Sequence, residues 1–268
     1  MNKIKKALKA IGLICRRPYL LNAVINDEGV RKEEVAPNHG LQDGLPMVEI
    51  QTLIPDFAVK VTPYAYLSGA TMPIDIALLR ALAQRQQAHS YFEIGTWRGE
   101  SVANMAQVVD HCTTLNLSEE DILAMTHDSR YAQLHAFFSK KLENVQHLYG
   151  NSQTFDFTPY HHQFDMVFVD GDHHYEAVKK DTENAFKLLK DDHSVIVWHD
   201  YAFDPETIRW NVLSAILDGT PEEKRRHLYH VSNTLCAVYI PEDLPAKTLV
   251  PYDKPEKYFE VTLEARPC

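Results

Sequence analysis

The chain has 268 residues, 45% of them hydrophobic and 24% charged, with 27 Lys and Arg against 37 Asp and Glu. A chain of this size buries a full core without disulfides or a structural metal, and its net charge of −10 argues against a dedicated nucleic-acid binder. Cys15, Cys112, Cys236 and Cys268 are scattered with no CxxC pair, which excludes a disulfide scaffold or zinc ribbon and fits a reducing cytoplasm; no apolar run approaches the ~20 residues of a membrane span.

The charge is uneven. Residues 1–26 contain Lys3, Lys5, Lys6, Lys9, Arg16 and Arg17 and no acid, leaving 21 basic residues against all 37 acids elsewhere. Ile4, Ala7, Leu8, Ile11 and Cys15 recur at helical spacing, which predicts an amphipathic helix with its lysines on the other face, stopped by Pro18. A secretory signal fits poorly, because the apolar stretch Ala10–Cys15 is short and Arg16-Arg17 follows at once. Two readings stay open: a helix that caps the domain or builds a homo-oligomer interface, or peripheral contact of residues 1–17 with an anionic membrane. Residues 27–70, punctuated by Pro37, Gly40, Gly44, Pro46, Pro55 and Pro63, read as an irregular cap that shapes a substrate pocket. The boundaries expected are therefore 1–70 for the basic helix and cap, 71–245 for the main domain and 246–268 for a tail.

From residue 72 the pattern becomes regular. Ile74, Ala77, Leu78, Ala81 and Leu82 form a helical stripe, Tyr91–Ile94 a short strand, and Gly99 opens a helix with Val102, Met105, Ala106 and Val109 inward. Thr113–Leu117 reads as a strand, Ser129–Leu142 as a helix and Val145–Tyr149 as a strand. The apolar run Met166–Val169 ends at Asp170 and is followed by a helix from His174 to Lys190; a second apolar strand, Val195–Trp198, ends at His199-Asp200. A helix over Pro205–Leu217 and strands at Leu228–Val231 and Leu235–Ile240 complete the set. Alternating strands and helices predict an α/β fold, a parallel sheet with helices on both faces, and ligands in such sheets bind at the carboxyl ends of the strands. Three of those turns carry unusual residues: Glu93–Ser101, Asp170–His174 and His199–Tyr201.

The first turn reads Glu93-Ile94-Gly95-Thr96-Trp97-Arg98-Gly99-Glu100-Ser101. Gly95 permits a tight turn and close approach of the backbone to a ligand, and Gly99 starts a helix whose free N–H groups suit a carboxylate or phosphate. The stretch lacks the G-x-G-x-x-G of nicotinamide binders, and simple strand–helix packing explains a lone GxxxG equally well. Asp172 and His173 precede a helix with Glu176 in its first turn, where a capping role competes with a chemical one.

Two stretches, YFEIGTWRGESVANMA (91–106) and FDMVFVDGDHHYEAVKKDTENAFKLLKDDHSVIVWHDY (164–201), resemble class I S-adenosylmethionine-dependent methyltransferases. The second is similar to a subfamily in which VDGDHxYE and a later HDY frame the site, with metal-dependent small-molecule O-methyltransferases of the catechol and macrolide-sugar type as functional relatives. The resemblance covers about residues 72–240. It implies a Rossmann-like, doubly wound, seven-stranded sheet, mostly parallel with an antiparallel last strand, preceded here by an N-terminal helical extension. It also implies that Glu93, Gly95, Thr96 and Gly99 line the methionine part of the cofactor and that Ser101 bonds its carboxylate. Asn116 stands where the family carries an acid for the ribose, Asn151 and Ser152 where the adenine edge is read, and Asp170 is a further candidate anchor for the cofactor. A second departure, Asp191-Asp192-His193 where relatives have Pro-Gly-Gly, lies at the opposite edge of the sheet.

In the family's sheet order the strands ending at Asp170 and at His199-Asp200 are neighbours, so these three residues are candidate ligands for a divalent metal, magnesium or manganese, with His173 as the base. The function expected is O-methylation of a small hydroxylated acceptor, a sugar or natural product. Two alternatives are a non-catalytic cofactor-binding module and another metal-dependent enzyme, a hydroxylase or hydrolase, built on the same Asp/His cluster.

Overall fold

The computed structural model describes residues 2–25 and 27–267; Cys268, one of the four cysteines, lies outside the described residues. The chain opens with α1 (Lys3–Arg16), a 3₁₀ turn over Pro18–Leu20 and the short α2 (Leu21–Ile25). The segment read as irregular is more ordered than its prolines imply, containing α3 (Glu28–His39), the two-residue strand β1 (Met47–Val48) and α4 (Ile50–Leu53). Asp27 caps α3 by accepting from the N–H groups of Gly29 and Val30, and Gly40, at φ +69°, closes it. Then follow α5 (Pro73–Arg85), β2 (Ser90–Ile94), α6 (Glu100–Met105), β3 (His111–Asn116), α7 (Glu119–Thr126), α8 (Ser129–Gln133), β4 (Val145–Tyr149) and β5 (Met166–Val169). The last elements are α9 (Tyr175–Leu188), β6 (Val195–Trp198), the hairpin β7 (Ala202–Asp204) and β8 (Thr207–Ile208), α10 (Trp210–Gly219), β9 (Leu228–Val231) and β10 (Ala237–Tyr239). Two expected helices are shorter than their patterns: the one begun at Ser129 ends at Gln133, and the one placed at Pro205 begins at Trp210, after the hairpin.

The sheet order is β1-β9-β10-β6-β5-β2-β3-β4. All pairings in it are parallel except those of β10, which runs antiparallel between β9 and β6. This is the expected doubly wound α/β sheet with an eighth strand, β1, added at one edge from the N-terminal segment. Side chains alternate across it with period two. Phe92, Ile94, Val167, Val169, Ile196 and Trp198 enter one core, shared with α3, α9 and α10. Tyr91, Met166, Phe168, Val195 and Val197 enter the other, shared with α4, α5 and α6. Chain order reverses between β2 and β5, and such a switch point opens a crevice at the carboxyl ends of the strands. Beyond β10, Lys247 exchanges two backbone hydrogen bonds with Met47, at 2.7 and 2.8 Å, so the C-terminal segment lies along β1. Among the described residues no helix is long and apolar enough to cross a membrane.

Candidate functional site

The turn after β2 is filled by the protein itself. Gly95 has φ +96°, and a Cβ there would collide with the main-chain carbonyl of Asp170 on the neighbouring strand. Gly99 has φ +78°, and its missing Cβ leaves room for the Ser139 side chain. Both glycines are therefore demanded by close packing and left-handed backbone. Glu93 is fully buried, its two oxygens accepting from the Tyr91 hydroxyl at 2.6 Å and the Ser101 hydroxyl at 2.9 Å. Burial raises the Glu93 carboxyl to about 8, with the charge of Asp170 adding to it and the two hydroxyls partly offsetting it. The Thr96 hydroxyl pairs with that of Thr114, and Thr96 too is buried. Glu93, Thr96 and Ser101 thus brace the turn from within.

The ends of β5 and β6 differ. These strands are adjacent, with Val169 opposite Trp198, so Asp170 and His199 leave the sheet side by side. Ligating atoms of Asp170, His199 and Asp200 all lie within 4.8 Å of one another. His199 Nδ1 is 2.9 Å from Asp170 Oδ1 and 3.2 Å from Asp200 Oδ2, yet it is buried and its geometry completes a hydrogen bond with neither. Its Nε2 lies 3.2 Å from Oδ2 of Asp75, a fully buried carboxylate in the first turn of α5 whose Oδ1 accepts the Leu235 N–H at 3.0 Å. Burial works to lower the His199 pKa, but Asp170, Asp200 and Asp75 outweigh it and hold it well above its ordinary value.

Asp200 adopts φ +57°, a left-handed conformation that a non-glycine residue rarely takes and that is concentrated at functional sites. Its Oδ1 lies 3.2 Å from Arg209, and its Oδ2 is shared between His199 and His173, whose Nε2 is 3.1 Å away. Burial opposes the charge on Asp200, but the close contact and charge of His199, with His173 and Arg209 adding to them, prevail and bring its pKa to about 2. His173 is 47% exposed, at the rim of the cluster. Asp172 holds the backbone N–H of His174 at 2.9 Å, so of these neighbours it is Asp172 that shapes the approach to α9.

The remaining predicted residues lie along the same edge of the sheet. Asn116 ends β3 and donates to His135 Nδ1 at 2.7 Å. Asn151 and Ser152 follow β4; the first accepts the Gln153 N–H at 2.9 Å and the second the Gln153 side-chain amide at 3.2 Å. Gln153 also reaches Asp181 on α9 at 3.3 Å. Asp181 is buried, its Oδ2 has no partner, and burial pushes its carboxyl up to about 7, partly offset by Ser152. Sequence reasoning missed Asp75, Asp181 and Arg209. Asp75 shares a helical face with Leu78, Leu79 and Leu82, and Asp181 one with Val178 and Ala185; an acid inside an apolar stripe was the available signal. Arg209 sat unremarked beside Trp210, within a stretch read as helix.

Residues 92–201, from β2 to the turn after β6, match the family model of a methyltransferase domain. No curated protein matches the sequence. Among solved structures, the chain is similar to an O-methyltransferase from Bacillus cereus in complex with SAH, at 17% identity over 84% of this chain and 97% of that one, TM-score 0.44. It is also similar to the O-methyltransferase TomG from Streptomyces achromogenes in complex with SAM, at 19% identity over 84% and 95%, TM-score 0.42. A third is an SAH-bound methyltransferase from Podospora anserina, at 17% identity over 81% and 97%, TM-score 0.45.

Proposed function

We propose that the chain is an S-adenosylmethionine-dependent methyltransferase acting on an oxygen of a small hydroxylated acceptor, a sugar or natural product, with a divalent ion held by Asp170, His199 and Asp200. The observation that carries this reading is the orphaned Nδ1 of His199, lodged between two carboxylates at the crevice within the stretch that matches a methyltransferase domain. The donor set fits a cation. Three acids surround one imidazole, and an ion among them takes the place of the proton they otherwise hold on it. Two carboxylates and one imidazole favour manganese over magnesium.

Bound S-adenosylmethionine supplies an electrophilic methyl group, and the bound ion supplies a Lewis acid that makes the acceptor hydroxyl more acidic. The chain supplies position and the proton acceptor. Asn116, at the end of β3, is the group for the ribose and Asn151 with Ser152, after β4, for the adenine edge, Asp170 after β5 is a further cofactor contact, and Glu93, Thr96 and Ser101 hold the Gly95–Gly99 turn in place beneath the methionine portion. His173, exposed at the rim, takes the acceptor's proton on an imidazole nitrogen. The persistent charge of Asp200 then steadies the imidazolium, and Arg209 fixes the orientation of that carboxylate.

Calorimetric titration with S-adenosylhomocysteine, followed by transfer of labelled methyl from S-adenosylmethionine to a panel of catechols and sugars, tests the reading. Micromolar binding, with transfer lost on chelation and restored by manganese or magnesium, is expected. No binding in the folded protein overturns the methyltransferase. Full activity after chelation removes the ion and leaves His173 as a metal-free base, and binding without transfer to any acceptor leaves a cofactor-binding module.

A further inference from the structure

We infer that α1 is a docking element for an anionic lipid surface. No residue of this helix is buried, and Ile4, Leu8 and Ile11 are 67%, 65% and 58% exposed. At 100° per residue, Ile4, Leu8, Ile11 and Cys15 fall on one narrow face, while Lys5, Lys9 and Arg16, with Lys6 and Arg17 beyond them, fill the other, interrupted by Leu13. After the Pro18 turn, Tyr19, Val24 and Ile25 are also more than half exposed, at 63%, 58% and 55%. Isolated apolar residues on a surface need no partner; a contiguous stripe does.

The charges select the occupant. Six basic residues and no acid lie within residues 1–26, so two copies of α1 packed along their apolar stripes would set cations against cations with no acid to pair them. A bilayer bearing anionic headgroups meets both faces at once: the aliphatic stripe enters the acyl boundary and the basic face meets the headgroups. At about 21 Å for its 14 residues, α1 is too short to span a bilayer core of ~30 Å, so it lies in the interface plane. This inference is independent of the reaction performed at the sheet's carboxyl edge.

The test is co-sedimentation of the full-length protein with sucrose-loaded vesicles of phosphatidylcholine alone or with 30% phosphatidylserine, at about 0.1 M and about 0.5 M salt. Sedimentation with the anionic vesicles only, reversed at the higher salt, is expected. The pair Lys5→Glu and Lys9→Glu should lower the partition coefficient at least tenfold, and Leu8→Glu should do the same, with melting curves unchanged because α1 contributes nothing to the core. Equal sedimentation of the parent and both variants overturns the inference. So does equal binding to neutral vesicles, or a vesicle-free self-association that Leu8→Glu abolishes, which would assign the stripe to a second copy.

Discussion

The turn after β2 and the paired turns after β5 and β6 lie side by side on one edge of the sheet, and they use polar residues in opposite ways. In the first, the buried acid, hydroxyls and amide are satisfied internally, Glu93 by Tyr91 and Ser101, Thr96 by Thr114, Asn104 by the backbone of Pro63 and Glu100, and the atoms left without a partner are the Trp97 indole Nε1 and the Arg98 Nε. In the second, a buried imidazole nitrogen has carboxylates on two sides and no completed hydrogen bond. Leaving a buried polar atom unpaired costs roughly 1–3 kcal/mol. The acid and hydroxyls of the glycine-rich turn are spent on bracing it, whereas the second pair of turns gathers carboxylates around one imidazole.

Breaking the scaffold should cost most. Gly95→Val forces a β-branched side chain into the Asp170 carbonyl at a positive φ, a loss of about 3 kcal/mol or more that appears as a large drop in the urea midpoint. Any loss of cofactor affinity would then be secondary to loss of fold, and a Gly95→Val protein with an unchanged midpoint would show that the turn has slack. Asp200→Ala should leave the protein folded, abolish binding of manganese measured by calorimetry and reduce methyl transfer by about 100-fold or more. Asp75→Asn keeps the shape of a residue that touches neither ligand carboxylate in the cluster, and should weaken manganese binding by about 10- to 100-fold. An unchanged manganese affinity would make Asp75 a partner of the Leu235 backbone alone.

The smallest effect sharpens the comparison through pH. Glu93 titrates near 8 when folded and near 4.5 when unfolded, so between those values the native state binds the extra proton and its stability falls as pH rises. Glu93→Gln removes that term. The melting temperature of the parent should decline more steeply from pH 5 to pH 8 than that of Glu93→Gln, and parallel profiles would mean that Glu93 is already ionised within the fold.

Much of this was legible in the sequence, for physical reasons. The apolar runs Met166–Val169 and Val195–Trp198 are buried on both faces, so their strand character and the position of Asp170 and His199 just past their ends followed from hydrophobicity alone. What was hidden depended on contacts distant in sequence. Nothing local shows that Asp75 meets His199 across 124 positions, or that the Ser101 hydroxyl donates to Glu93. The cap read as irregular conceals α3 because Pro37 lies within the helix and breaks its pattern, although Val35 and Ala36 pack into the main core. Gly95 was read as a point where the backbone approaches a ligand; its packing against the Asp170 main chain, a contact across the sheet, could not be read from the sequence.

The C-terminal segment along β1 has a further consequence. Strand edges are templates on which sheets of separate molecules add to one another. Lys247 saturates the main chain of Met47, and Glu49 ties the segment down through Lys247 at 2.8 Å and through Lys257. That edge is closed, while β4 forms the opposite one, with Tyr149 largely exposed. A sheet with a single open edge can pair with another copy through that edge but offers nothing for a third, so association by strand addition terminates at two molecules and cannot propagate into a fibre.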